Sequence, residues 1–150
     1  MPRWRATFSM EFNSLIPELI VSDIERSVHF YKNLLGFDVE YERHEEKFAF
    51  LAIGSAQLML LQDNDSQHSR TGDLDAPRGR GINFSIRVSD LDDISISTEA
   101  AGHPLRIPIR EQWHRQGEIL HGEKQLWVMD PDGYLLRFVE GLGTKAVSDS

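Results

Sequence analysis

The sequence predicts an α+β fold in which two βαβββ modules form an open, cupped mixed sheet. The phrase Val21-Ser22-Asp23-Ile24 returns 67 positions later as Val88-Ser89-Asp90-Leu91, and each copy ends an apolar run and opens a helical one. The same order of elements follows both copies. The segment Asp130-Pro131-Asp132-Gly133 is a strong hairpin signal, because proline suits the second position of a type I turn and glycine supplies a positive φ after it. A half-chain module used twice accounts for this pattern.

The first module begins with a strand and a helix. The apolar run Leu15–Val21 predicts the strand. Asp23 is a good N-cap, and apolar residues then recur at helical spacing as far as Gly36, a residue type that commonly follows the end of a helix. Three short strands are predicted next, over Phe37–Tyr41, Phe48–Ile53 and Gln57–Leu61.

The second module repeats this order. The run Ile82–Val88 predicts a strand, and Asp90 an N-cap. A helix is predicted over Leu91–Ala101 with its end at Gly102, although alternating isoleucine and serine residues within it favour a strand by propensity. Strands over Leu105–Ile109, Lys124–Met129 and Tyr134–Glu140 complete the module.

The length of 150 residues is typical of one domain with a sizeable core. Module one is expected over about 14–63 and module two over about 81–141. The segment between them, 63–80, is rich in turn-forming and charged residues and predicts a mobile surface loop with solvated charges. Residues 142–150 predict a frayed polar tail.

Composition excludes several classes of function. Without cysteine, the chain has no disulfide framework, thiolate metal site or cysteine nucleophile. A net charge of −8 disfavours nucleic acid and favours cationic partners. The N-terminus lacks a charged-then-apolar leader and no apolar run approaches membrane-spanning length, so a cytoplasmic protein without a membrane partner is expected.

Several motifs together resemble the vicinal oxygen chelate superfamily, which includes glyoxalase I, extradiol dioxygenases and the bleomycin resistance proteins. They are the two VSD-to-helix junctions, the helix SVHFYKNLLGF and the ending DPDGYLLRF, in this order over about residues 14 to 141. The endings RFVE after DPDGYLL and IPEL before VSD resemble the bleomycin resistance subset more than glyoxalase I. The resemblance implies a homodimer whose interface helps to build ligand grooves.

The resemblance also locates four positions that hold His, Glu, His and Glu around a divalent ion in metal-dependent members. In this chain they are Ile16, Met59, Asn83 and Arg137. An aliphatic group and a thioether offer nothing to a hard cation, the amide is a weak donor, and the guanidinium would repel the ion. We therefore expect no metal, no other cofactor and no catalytic residue.

Metal-independent members of this kind bind a cationic, partly aromatic drug of the bleomycin type and sequester it. Such a groove needs aromatic surfaces for stacking and carboxylates for a cationic tail. The predicted carboxylates are Glu45, Glu46, Asp63 and Asp65. The predicted ligand-binding residues, with Trp113 placed in a loop before the last hairpin, are Phe48, Phe50, Met59, Asn83, Trp113, Trp127 and Arg137.

Other interpretations remain open at this point. The aromatic residues could serve ordinary sheet packing or a dimer contact, and Arg137 could pair with an acid such as Glu18 or with a ligand anion. The chain could be an enzyme with a rearranged metal site that uses His114 or His121. It could also be a structural or regulatory module without a ligand.

Overall fold

The computed structural model describes residues 11–65 and 68–148. The first module contains β1 (Glu18–Val21), α1 (Ile24–His29, continued by a π-helical turn over Phe30–Leu34), β2 (Asp38–Arg43), a 3-10 turn (His44–Glu46), β3 (Phe48–Ile53) and β4 (Ala56–Gln62). The second contains β5 (Asn83–Arg87), α2 (Leu91–Ala100), β6 (Ile107–Gln116), β7 (Ile119–Met129) and β8 (Leu135–Ala146). None of the helices in these two ranges is long and apolar enough to cross a membrane.

The strands form two four-stranded mixed sheets of the same topology. Sheet A has the order β1-β4-β3-β2 and sheet B the order β5-β8-β7-β6. In each sheet the first pair is parallel and the other pairs are antiparallel. The predicted pair of βαβββ modules is therefore confirmed.

The local signals at the helix ends act as the sequence predicts. Asp23 accepts a hydrogen bond from the backbone N–H of Arg26 at 3.1 Å, and Asp90 accepts one from Asp92 at 2.9 Å. Gly36 adopts a φ of +87°, in the left-handed region that favours glycine. In α2, the hydroxyl of buried Thr98 donates to the carbonyl oxygen of Ile94 at 2.8 Å, so this β-branched residue is accommodated within the helix.

A hydrophobic core joins the helix-facing sides of both sheets. Alternate strand residues supply it, among them Leu58 and Leu60 of sheet A and Leu136 and Phe138 of sheet B. Because successive residues of a strand point to opposite faces, the intervening side chains lie on the face turned away from this core. We call these the outward faces of sheet A and sheet B.

The turn before β8 also fastens the two modules together. The Tyr31 hydroxyl donates to Asp130 Oδ2 at 2.8 Å, and the Tyr134 hydroxyl donates to the Ile20 carbonyl at 2.9 Å. The Ser22 hydroxyl and backbone N–H both donate to the Asp132 carboxylate, at 2.6 and 3.0 Å. Burial raises the pKa of Asp130, of Tyr31 and of Tyr134, and the carboxylate of Asp130 raises the pKa of both tyrosines further.

Two segments that were predicted to be irregular are strands. Strand β6 continues to Gln116 and β7 begins at Ile119, so residues 110–123 form a hairpin around Gly117, which has a φ of +62°. Residues 143–146, predicted as part of a frayed tail, instead pair with β7 within β8, and Leu142 lies at a shift in the register. Backbone hydrogen bonds between long strands stabilise these segments even though their side chains are mostly polar.

The segment between the modules is tied to the fold rather than solvated. Arg70 contacts the carboxylate of Asp63 at 3.1 Å. Arg78, only 11% exposed, donates to the backbone carbonyls of Ile20 and Leu74. The expectation of a loop with solvated charges is therefore wrong for these residues, because each arginine has acceptors within reach. Residues 66 and 67 lie outside the described part of the chain.

Candidate functional site

A row of side chains crosses the outward face of sheet A. The strand registers place Tyr41 opposite Phe50, Phe50 opposite Met59, and Met59 opposite Glu18. The Tyr41 and Phe50 rings stack at 5.3 Å with an interplanar angle of 9°, and Phe12 meets Phe50 edge-on at 5.3 Å. This face is thus aromatic at one side and carries a thioether and a carboxylate further along.

The two predicted phenylalanines are already covered by protein. Phe48 and Phe50 are only 4% and 1% exposed, and the Arg43 guanidinium lies 4.0 Å from the Phe48 ring centroid. The accessible aromatic surfaces beside them are Tyr41, which is half-buried, and Phe12, which is 59% exposed. Neither residue was predicted from the sequence as part of the site. Tyr41 could have been found from the register of β2 against β3, which places it opposite Phe50.

Three of the predicted carboxylates lie close together where β4 ends and β2 turns into β3. Glu45, Glu46 and Asp63 line a groove of about 610 Å³ together with Lys47 and Gln62. Glu46 accepts a hydrogen bond from Arg43 Nε at 2.8 Å, which raises the pKa of that guanidinium. Asp63 and Asp65 both contact Arg70, whereas Glu45 has no ion pair within the described residues. The groove therefore has a net acidic lining.

A second group of predicted residues lies on the outward face of sheet B. Arg137 of β8 is flanked by Ser85 of β5 on one side and by Trp127 of β7 on the other. Asn83 and Arg87 share the face with Ser85, because they alternate along β5. The Arg137 guanidinium carbon lies 5.2 Å from the centroid of the Trp127 ring. Asn83, Trp127 and Arg137 are thus brought together by the fold.

Arg137 has no acidic partner within the described part of the chain. Its Nε atom is buried with no hydrogen-bond acceptor among those residues, and the same is true of Trp127 Nε1 beside it. No carboxylate of the described residues lies within ion-pair distance of Arg137. The suggested pairing with Glu18 is wrong, because Glu18 belongs to sheet A and faces Met59.

Trp113 does not join Trp127. It lies in β6 opposite Gly122, where a Cβ on the glycine would come within 2.4 Å of the indole ring, and the Lys145 ammonium lies 4.1 Å from the ring centroid. Gly122 and Trp127 are five residues apart on one strand, so they point to opposite faces. The predicted position of Trp113, in a loop near Trp127, is therefore corrected to a strand and the helix-facing side.

The two histidines considered for a rearranged metal site face each other across the β6–β7 hairpin. His114 is paired with His121, and its Nε2 lies 3.4 Å from Glu123 Oε1. His121 Nε2 lies 2.6 Å from the Gln116 side-chain oxygen. Over residues 11–65 and 68–148, no group of three or more His, Asp or Glu side chains is arranged to hold a metal ion.

The four positions that hold metal ligands in metal-dependent relatives do not fit an ion here. Met59 lies on the outward face of sheet A, and Asn83 and Arg137 lie on that of sheet B. A thioether and a guanidinium supply no oxygen or imidazole donor, and the positive charge of Arg137 would repel the ion. The donor set is chemically unsuited to a divalent cation.

Comparison with known proteins agrees with this fold. The family model for the glyoxalase/bleomycin resistance protein/dioxygenase superfamily matches residues 13–138. The bleomycin resistance protein of Geobacillus stearothermophilus is 28% identical over 134 residues, which cover 83% of this chain and 94% of that protein. Among solved structures, TioX of Micromonospora sp. ML1 shares the fold with a TM-score of 0.62 and 21% identity, over 87% of this chain and 100% of that one. A fosfomycin resistance protein of Listeria monocytogenes shares it with a TM-score of 0.57 and 19% identity, over 88% of this chain and 95% of that one. The chain belongs to the glyoxalase/bleomycin resistance protein/dioxygenase superfamily.

Proposed function

We propose that this protein binds a bulky, partly aromatic small molecule without a metal, in grooves of a homodimer, and sequesters it as a bleomycin resistance protein would. One observation carries the proposal. Apart from Trp113, the predicted ligand residues fall into two sets on the outward faces of different sheets, and both faces turn away from the hydrophobic core of the described residues. A groove that uses both sets therefore requires a second copy of the chain.

The chemistry of sheet A suits a cationic aromatic ligand. Tyr41 and the exposed ring of Phe12 offer stacking surface, and the buried ring of Phe50 holds both in place. The groove lined by Glu45, Glu46 and Asp63 offers negative charge for a cationic tail. The name of the Geobacillus stearothermophilus relative supports bleomycin as the drug to test first.

The donor chemistry supports binding over metal-assisted catalysis. Met59, Asn83 and Arg137 cannot supply the hard anionic ligands that a Lewis-acid centre needs. Polar groups on the outward face of sheet B are better suited to hold a ligand by hydrogen bonds than to activate it. Sequestration needs only affinity, which this surface can provide without a reaction step.

Bleomycin binding can be tested by calorimetry and by thermal shift. We expect heat on titration, a raised melting temperature, and quenching of tryptophan fluorescence. Trp127→Ala should weaken binding by about 1–3 kcal/mol, the loss typical of a packed aromatic anchor. Trp113→Ala is the matched control, because Trp113 occupies the opposite face of sheet B and should leave the affinity unchanged.

An absence of heat and of any thermal shift with bleomycin at about 100 µM, well above the concentration at which a micromolar complex saturates, would refute the drug assignment. Light scattering should give about twice the chain mass of 17.2 kDa at micromolar concentration. A monomer under those conditions would refute the shared groove.

A further inference from the structure

Two neighbouring hydrogen-bond donors on the outward face of sheet B lack acceptors among residues 11–65 and 68–148. They are Arg137 Nε and Trp127 Nε1, and both atoms are buried. The two residues are directly opposite each other in adjacent strands, and the guanidinium carbon lies 5.2 Å from the indole centroid. Buried polar groups are almost always satisfied in proteins, so two adjacent orphaned donors indicate a place where something else supplies the acceptors.

The surroundings of this pair favour a negatively charged acceptor. Arg87 lies two residues along β5 from Ser85, which faces Arg137, and Arg87 is exposed on the same outward face. Asn83 and Ser85 add neutral polar groups on β5. Although the chain carries a net charge of −8, no carboxylate of the described residues pairs with Arg137 or Arg87. A cationic group would meet two arginines here.

We propose that the pair Arg137 and Trp127 binds an oxyanion of the ligand, for which a carboxylate is the best match. Guanidinium N–H groups are arranged in a planar fork that complements the two oxygens of a carboxylate, and charge assistance strengthens such bonds. The indole N–H supplies a neutral donor beside them, and Ser85 adds a hydroxyl opposite Arg137.

This proposal rests on the proposed function, because it takes the outward face of sheet B as part of the ligand groove. It adds a description of the ligand. The ligand would have an aromatic centre, an oxyanion end on sheet B and a cationic end at the acidic groove of sheet A. A cationic drug without an oxyanion would stack on the aromatic residues, Trp127 included, and use the acidic groove, but would leave the oxyanion site unfilled.

The test uses three probes of the same shape: 2-naphthoate, 2-naphthamide and 2-naphthylmethylammonium. Their affinities for the intact chain are measured by NMR titration, with the indole N–H signal of Trp127 assigned from Trp127→Phe. We expect 2-naphthoate to bind about tenfold more tightly than the other two, the difference that a charge-assisted hydrogen bond supplies. The Trp127 indole N–H signal should move downfield with 2-naphthoate only.

Arg137→Met removes the guanidinium at nearly constant length and should abolish the preference for 2-naphthoate. Arg115→Met is the matched control: it changes the net charge equally, but Arg115 lies at the tip of the β6–β7 hairpin and donates to the carbonyl of Gly117. It should leave the preference intact. Trp127→Phe keeps an aromatic ring and loses only the indole donor, so it tests the second group even if Arg137→Met does not fold.

Equal affinity for the three probes, or a preference that survives both Arg137→Met and Trp127→Phe, would overturn the oxyanion site. These outcomes are separate from the bleomycin test. Binding of 2-naphthoate through Arg137 without any binding of bleomycin would refute the drug assignment and support the oxyanion site. Binding of bleomycin with no preference for 2-naphthoate would support the drug assignment and refute the oxyanion site.

Discussion

Replacing Ser22 with alanine should lower the free energy of unfolding, whereas the same change at Ser89 should not. Both serines occupy the same place in the repeated VSD phrase. The Ser22 hydroxyl donates to Asp132 Oδ1 at 2.6 Å, and Asp132 is only 6% exposed. Ser89 is exposed, and its hydroxyl makes no hydrogen bond within the described residues.

The magnitude follows from the type of hydrogen bond that is lost. A hydrogen bond to a charged group contributes about 1.5–3 kcal/mol, and exposure of Ser22 favours the lower end, about 1.5 kcal/mol. The further contact from Arg26 to Ser22 Oγ at 2.7 Å adds little, because exposed polar contacts are screened by solvent. For a chain of this length, about 1.5 kcal/mol corresponds to a fall in Tm of about 5 °C.

Urea unfolding with linear extrapolation, supported by calorimetric scanning, measures both variants against the parent chain. Ser22→Ala should lower the urea concentration at the unfolding midpoint without changing the dependence of the unfolding free energy on urea, since the same surface is exposed on unfolding. If Ser89→Ala destabilises as much as Ser22→Ala, or if neither does, then the Ser22–Asp132 contact does not fasten the modules and the reasoning fails.

Three further predictions concern other parts of the molecule. Burial raises the pKa of Asp130, so the stabilisation that Asp130 contributes is full below its unfolded pKa of about 3.9 and is lost as pH rises through the folded pKa. The free energy of unfolding of Asp130→Asn should therefore increase relative to that of the parent chain as pH rises. Urea titrations between about pH 4 and 8 that show the opposite trend would contradict this. Gly122→Ala should lower the free energy of unfolding by about 1–3 kcal/mol, because the added Cβ would overlap the Trp113 ring. Gly72→Ala should be close to neutral, because a Cβ there meets nothing within 4 Å. Equal melting temperatures for the two variants would argue against the packing of Trp113 on Gly122. Elemental analysis of protein purified without chelator should find no stoichiometric zinc, nickel, manganese or iron, and one tightly held ion per chain would revive the enzyme interpretation.

Sequence alone determined the elements whose signals are local. The carboxylates of Asp23 and Asp90 cap their helices through residues two or three positions away, and Gly36 ends its helix through its own backbone conformation. The strand predicted over Gln57–Leu61 is likewise present, within β4. These features depend on short stretches of chain, so they are visible before folding.

The β6–β7 hairpin could not be predicted in the same way. Residues from Arg110 to Glu123 are mostly polar and lack an apolar alternation, which is the usual signal of a half-buried strand. Their strand structure is stabilised by backbone pairing with β7 and β8 rather than by burial of side chains. As a result, Trp113 was predicted to lie in a loop, whereas it belongs to β6.

The partners of the charged and polar residues were decided only by the tertiary structure. Ser22 and Asp132 lie 110 positions apart, yet they meet because the turn before β8 packs against the end of β1. Arg137 faces Trp127 rather than Glu18, because the strand order places β8 between β5 and β7 and keeps β1 in the other sheet. Strand alternation fixes a side chain to a face, but sheet order and register fix its neighbours, and both depend on contacts between residues far apart in the chain.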